Sequence, residues 1–282
     1  MDQEIRIINT KGKHWKHRVL SGIASSREFP TRLRLFNLTK KLFGLDLLLS
    51  KTPSGLTLLL DISDWVQYQI YFYGNYEGKS ITLFKDLSKN ASVVFDIGAH
   101  VGQYALECAQ DDKEQTKQIF ALEVNPKTFA YLLNNIQINK FKNVTAVLGA
   151  VGTTPDIYNI NIPAYWNMGN TQIDEHSNHT GLDNYLVASF SIPALLKKCS
   201  LPHVDLIKID IEGHELGVFQ NLFSENIYPE NIIFEFIPDV FEQANELVQL
   251  LRQHNYTLKD MDGNLYAGQT SVPEQNLWAQ RA

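Results

Sequence analysis

The chain has 282 residues, 44% hydrophobic and 20% charged, with a formal net charge of −6. That length supports one large α/β core with an appendage. No apolar run approaches the roughly 18 residues needed to span a bilayer, because the longest, over 42–60, is broken by Asp46, Lys51 and Pro53.

Cys108 and Cys199 are the only cysteines. With no metal-site spacing they read as reduced thiols, and with no apolar leader after Asp2 and Glu4 the expected location is cytoplasmic. Charge is unevenly spread: residues 6–41 hold ten Lys/Arg against the single acid Glu28. Such a basic arm is suited to an anionic partner. Its interleaving with Trp15, Val19, Leu20 and Ile23 is equally that of a solvated helical face on an acidic body.

Leu47-Leu48-Leu49 and Leu56-Thr57-Leu58-Leu59-Leu60 flank Pro53-Ser54-Gly55, a hairpin signal. Residues 64–72 have helical spacing and stop at Gly74. Residues 1–90 thus read as a basic arm and a helical/hairpin cap, and 91–282 as the main domain. From residue 91 apolar runs alternate with helical patterns, the signature of a mainly parallel sheet. The predicted strands are 92–96, 118–123, 144–151, 204–210 and 231–236; the predicted helices are 102–110, 126–139, 192–199, 214–222 and 240–253. Pro126 and Asn139 punctuate the second helix. After 256–261, Asp262-Gly263 and Asn264-Leu265-Tyr266 predict a closing antiparallel hairpin. Residues 153–184 are polar and aperiodic and read as a long functional loop.

Val93-Val94-Phe95-Asp96-Ile97-Gly98-Ala99-His100-Val101-Gly102 is an apolar strand delivering an acid and a Gly-punctuated turn to a helix start. This is how parallel sheets bind nucleosides. A dinucleotide fingerprint would require glycine where His100 stands, which favours S-adenosylmethionine over NAD. Glu123 ends the next strand, where an acid chelates ribose hydroxyls. A second cluster, Lys208-Ile209-Asp210-Ile211-Glu212-Gly213-His214-Glu215, brings carboxylates and an imidazole to the same rim. A Lys208 salt bridge with helix capping would also account for Asp210 and Glu212. Glu235, flanked by Phe234 and Phe236, is costly unless paired and is expected to face the site.

These motifs, with Gly74-Asn75-Tyr76-Glu77, Phe120-Ala121-Leu122-Glu123-Val124-Asn125-Pro126 and Ile233-Phe234-Glu235, resemble the FkbM family of class I S-adenosylmethionine-dependent methyltransferases over about residues 74–260. The resemblance implies a Rossmann-like, doubly wound α/β sheet of seven strands, mainly parallel with one antiparallel strand. It also implies O-methylation of a hydroxyl on a sugar, glycan or secondary metabolite. In that reading Asp96, Gly98, Ala99, His100 and Gly102 meet the methionine moiety, Glu123 holds the ribose, Asn125 also contacts the cofactor, and Gly149, Ala150 and Val151 border the adenine. Tyr76 and Glu77 close over the cofactor, which Asp210 also meets. His100 replaces the Asn common in relatives.

A hydroxyl acceptor needs a positioned base. The candidates are Asp210 or His214, with Glu212 orienting; Asp210 and Glu212 could instead hold a divalent metal. Tyr165, Trp166 and Asn170, with Glu235, are the expected acceptor contacts. Asn161-Ile162-Pro163 lacks the aromatic of an amino-methyltransferase loop and follows the wrong strand, so no specific nucleic acid is predicted. The competing reading is a non-catalytic S-adenosyl-ligand module that interacts through its basic arm.

Overall fold

The computed structural model describes residues 31–44, 46–162, 172–174, 184–240 and 243–282, with five positions between 16 and 23. Helix α1 (Arg32–Phe43) leads into the antiparallel hairpin β1 (Leu47–Lys51) and β2 (Thr57–Asp61), as the Pro-Ser-Gly turn predicts. Helices α2 (Trp65–Tyr73) and α3 (Gly78–Ser88) follow. The main sheet then begins with β3 (Val93–Ile97), α4 (Gln103–Asp111), β4 (Gln118–Glu123), α5 (Pro126–Asn139) and β5 (Val144–Leu148). Its second half comprises α6 (Ile192–Cys199), β10 (Leu206–Ile209), α7 (Glu215–Ser224), β11 (Asn231–Glu235), α8 (Ala244–Gln253), β12 (Tyr256–Lys259) and β13 (Asn276–Arg281).

These form a seven-stranded sheet in the order β12-β13-β11-β10-β3-β4-β5, with β13 antiparallel to both neighbours. Parallel strands buried on both faces read as continuous apolar runs. Along β3, Val93, Phe95 and Ile97 face one core and Val94 the other. The bounds of α5 and α6 match the sequence reading because their caps are local: Asn125 accepts from Lys127 N at 2.9 Å and Ser191 from Ala194 N at 3.3 Å, each with proline in the first turn.

The cap is tied to the sheet by side chains. Leu59 N donates to Asn135 Oδ1 at 2.6 Å and Thr57 N to Asn139 Oδ1 at 2.9 Å. Phe36, Leu58 and Phe84 share one core with Val94, Tyr104 and Leu132.

Three expectations are corrected. The run 144–151 is divided at Gly149 into β5 and β6 (Ala150–Val151), where the chain leaves the main sheet. The segment read as a long loop carries β7 (Ile157–Asn161), β8 (Gln172–Asp174) and the start of β9 (Asn184–Phe190), which pair in a small second sheet with β6. The Asp262-Gly263 turn exists, but 264–266 contributes only a Lys259–Leu265 bridge; β12 pairs instead with β13. The closing strand was missed because turn chemistry is local, whereas Leu277 and Ala279 find their place only in the assembled core.

Gly98 joins the two halves of the sheet. Asp210 N donates to Ile97 O at 3.0 Å, and a Cβ at Gly98 (φ +79°) would lie 2.0 Å from the Asp210 carbonyl oxygen. Gly263 has a similar φ of +84° with nothing within 4 Å of such a Cβ. Gly263→Ala should therefore cost only the left-handed strain, about 1–3 kcal/mol. Gly98→Ala should cost several kcal/mol more by urea unfolding; equal losses would refute the close-approach explanation.

Candidate active site

The carboxyl ends of β3, β4, β10 and β11 open onto a cavity of about 260 Å³. Its floor is the 98–102 turn, held by Gly98 N and Ala99 N donating to Leu122 O, both at 2.9 Å. His100 takes a left-handed φ of 52°, so its backbone N–H reaches the Glu123 carboxylate at 2.7 Å. The other Glu123 oxygen accepts from Asn125 N at 2.8 Å. Each oxygen keeps a further lone pair, and Glu123 lines the cavity beside Val124, Gly149, Ala150 and Val151. The His100 ring lies 3.6 Å from Asp64 of the cap, whose α2 adds Trp65, Val66 and Ile70 to the wall.

Four predicted residues lie outside the lining, and three of them, Asp96, Asn125 and Gly102, support it from behind. Asp96 is fully buried; its Oδ2 accepts from Ala105 N at 3.0 Å, and burial pushes its carboxyl up to about 6. It thus orders the first turn of α4. Asn125 caps α5 from a buried position, and Gly102 (φ +91°) sits where a Cβ would meet Leu132. His214 is exposed at the cap of α7 and does not line the cavity. The strand ends at Ile209, and Glu212 and Gly213 adopt positive φ, so the alternation that would carry the imidazole inward stops. Tyr165, Trp166 and Asn170 lie outside the described residues.

On the opposite wall Lys208 is 3% exposed, with its ammonium 3.1 Å from Asp210 and 5.1 Å from the Tyr104 ring centre. Its register places it level with Asp96 on β3. Burial opposes the lysine's charge, but Asp210, Asp96 and Glu77 outweigh it and raise the ammonium pKa. Glu77 caps α3 at φ 57° and accepts from Tyr104 Oη at 2.7 Å. Its carboxyl is pushed up by burial despite Lys208. Burial, then Asp210, pushes Glu212 up to about 7. Glu235 rises further, to about 9, through burial and then Asp210, Glu212 and Glu215. Its Oε2 is buried without a hydrogen-bond partner among the described residues. Tyr76 also lines the cavity, its phenol pushed up to about 12 by burial and Glu77.

Trp65, Gln103, Tyr104, Lys208 and Gln275 also line the cavity, although the sequence reading gave none of them a ligand contact. Gln103 and Tyr104 follow the glycine turn directly, so their adjacency was the available signal. Trp65 and Gln275 come from remote segments and had none.

Among the described residues the wall carries five acids (Glu77, Glu123, Asp210, Glu212, Glu235) and one lysine. No group of three or more His, Cys, Asp or Glu there could hold a metal ion. S-adenosylmethionine fits this donor set: its ribose diol matches the spare lone pairs of Glu123, and its ammonium and sulfonium suit an acid-rich wall. No helix among the described residues is long and apolar enough to cross a membrane.

Residues 96–258 match the model of the methyltransferase FkbM domain. The chain is 30% identical over 115 residues to tRNA (guanine(37)-N(1))-methyltransferase Trm5b of Pyrococcus abyssi, covering 40% of this chain and 32% of that one. It is 26% identical over 143 residues to hexuronic acid methyltransferase AglP of Haloferax volcanii, covering 50% of this chain and 54% of that one. The matches thus span a third to about half of these relatives. Among solved structures, precorrin-6y C5,15-methyltransferase of Geobacter metallireducens aligns with 72% of this chain and 87% of its own at 16% identity and a TM-score of 0.43. With more than half of its length matched by the family model, the chain belongs to the FkbM family of S-adenosylmethionine-dependent methyltransferases.

Proposed function

We propose that this chain is an S-adenosylmethionine-dependent O-methyltransferase acting on a hydroxyl of a sugar, glycan or secondary metabolite. The observation that carries the reading is the pair of raised carboxyls, Glu212 and Glu235, on the cavity wall opposite Glu123. The cofactor, when bound, supplies a methyl group activated by a positively charged sulfur. The protein's part is orientation, exclusion of water and removal of the hydroxyl proton.

Glu123 holds the ribose end, and Gly149 to Val151 border the adenine. A base works best when its pKa lies near the operating pH, and Glu212, at about 7, meets that condition. Asp210 is tethered to Lys208 and takes the positioning role, which exchanges the two roles first assigned from the sequence. Glu235, protonated at neutral pH, donates a hydrogen bond to the acceptor. An acid-rich wall repels phosphate, which supports a neutral hydroxylated acceptor over nucleic acid. The kinship to AglP supports a sugar.

With S-adenosylmethionine and a panel of neutral glycosides, uronosides and short RNAs, methyl transfer should appear on a neutral glycoside. Glu212→Gln should lower kcat by about 10²–10⁴-fold, with S-adenosylhomocysteine affinity held within about three-fold by calorimetry. Transfer to RNA alone, or near-wild-type turnover of the variant, would overturn the assignment.

Glu235 also predicts a pH signature. A carboxyl whose folded pKa exceeds its unfolded value, about 4.3, favours folding only while protonated. That stability is complete below the unfolded pKa and is lost as pH rises through about 9. The Tm of Glu235→Gln relative to wild type should therefore rise steadily from pH 5 to pH 9. A constant difference would contradict the burial of this group.

A further inference from the structure

One helix of the cap, α1, keeps an apolar face in water. At about 100° per residue, Phe36, Thr39 and Phe43 share one side of α1, where Phe36 and Thr39 are buried and Phe43 packs against the core. Leu35, Leu38 and Leu42 fall within an adjacent arc of about 60°. They are 43%, 57% and 72% exposed, so this second side is not part of the core. Arg34 and Lys41, both exposed, border the stripe on its far edge. Lys40, by contrast, is engaged with Asp46 at 3.6 Å. The outer face of α1 is therefore apolar along its middle and cationic along one edge.

Charge decides what suits such a face. Residues 6–41 hold ten Lys/Arg against one acid, whereas 42–282 hold 15 Lys/Arg against 28 acids. Lys16 adds to the basic end, its ammonium 5.4 Å from the Phe43 ring centre. A second copy of this chain on the stripe would bring another Arg34 and Lys41 to the first pair. Nucleic acid, gripped through phosphates and stacked bases, would satisfy the cations and leave three leucines in water. An anionic bilayer satisfies both: headgroups meet the cations, and the boundary of the acyl chains takes the leucines. The acidic remainder of the chain is repelled by the same surface, which leaves one orientation of approach.

We propose that α1 docks this protein on anionic lipid membranes. The helix lies in the headgroup plane, with Leu35, Leu38 and Leu42 immersed and Arg34 and Lys41 on the lipid phosphates. Such docking is peripheral and needs no spanning helix. It rests on none of the residues assigned to methyl transfer, so either reading stands without the other.

Flotation of the full chain with two kinds of vesicle tests this: phosphatidylcholine alone, and phosphatidylcholine with about one-third phosphatidylserine. Each basic residue near an anionic surface is worth about five-fold in binding, so the anionic vesicles should be preferred by at least about twenty-fold. Added salt should weaken that preference, and an Arg34→Glu, Lys41→Glu variant should lose it. A Leu38→Ser, Leu42→Ser variant should bind anionic vesicles about ten-fold more weakly or worse. Its Tm should match wild type, because both side chains already face water. Absence of vesicle binding, equal binding to the two vesicle types, or undiminished binding by the leucine variant would overturn the proposal. Capture by poly(U) without vesicle binding would reassign the face to nucleic acid. A dimer that the leucine variant loses, again without vesicle binding, would reassign it to a second copy of the chain.

Discussion

The arrangement depends on one buried ammonium. Lys208 lies on β10, the strand between β3 and β11, and is almost completely enclosed. A buried cation is tolerated only when paired, so Asp210, Asp96 and Glu77 gather around it from three different elements. Those elements are the β10 rim, the end of β3 and the cap of α3, which together bound the cavity. Burial first, and then the charge of Asp210, holds the carboxyls of Glu212 and Glu235 high.

The close approach at Gly98 is the steric counterpart of that pairing. It lets the β3 turn lie against the Asp210 carbonyl, so the two acid clusters, more than a hundred residues apart in sequence, face one space. The cap closes the space with Trp65 and Val66 and reaches the floor through Asp64 and His100. Trp65, Val66 and Ile70 of the cap thus wall the cavity, and the cap's described residues share the core of the main sheet.

What was legible in the sequence follows the range of the forces involved. Strand β4 and helices α5 and α6 were readable to the residue because apolar period, proline and cap all act locally. The positions of Glu123 and Asp210 on the cavity wall were readable because strand-end acids beside glycine turns have a chemical reason to be there, whereas Asp96, expected at the methionine moiety, is buried behind the lining. Side chains whose roles depend on contacts across the fold were not. Gln103 gains its meaning from Tyr76, 27 residues away, and Gln275 from a strand pairing that the Asp-Gly turn obscured. His214 illustrates the opposite error: proximity in sequence suggested a cluster that the backbone, turning at Glu212 and Gly213, separates.

The central claim is that the raised carboxyls of the cavity wall, Glu212 and Glu235, are poised to meet a cation. S-adenosylmethionine and S-adenosylhomocysteine differ in the sulfonium charge, and a nearby positive charge lowers carboxyl pKa values. Proton release on binding, measured by calorimetry at pH 7 in buffers of different ionisation enthalpy, isolates this effect. More protons should be released with S-adenosylmethionine than with S-adenosylhomocysteine, and the excess should vanish in a Glu212→Gln, Glu235→Gln double variant. Equal release for the two ligands in wild type would contradict the account.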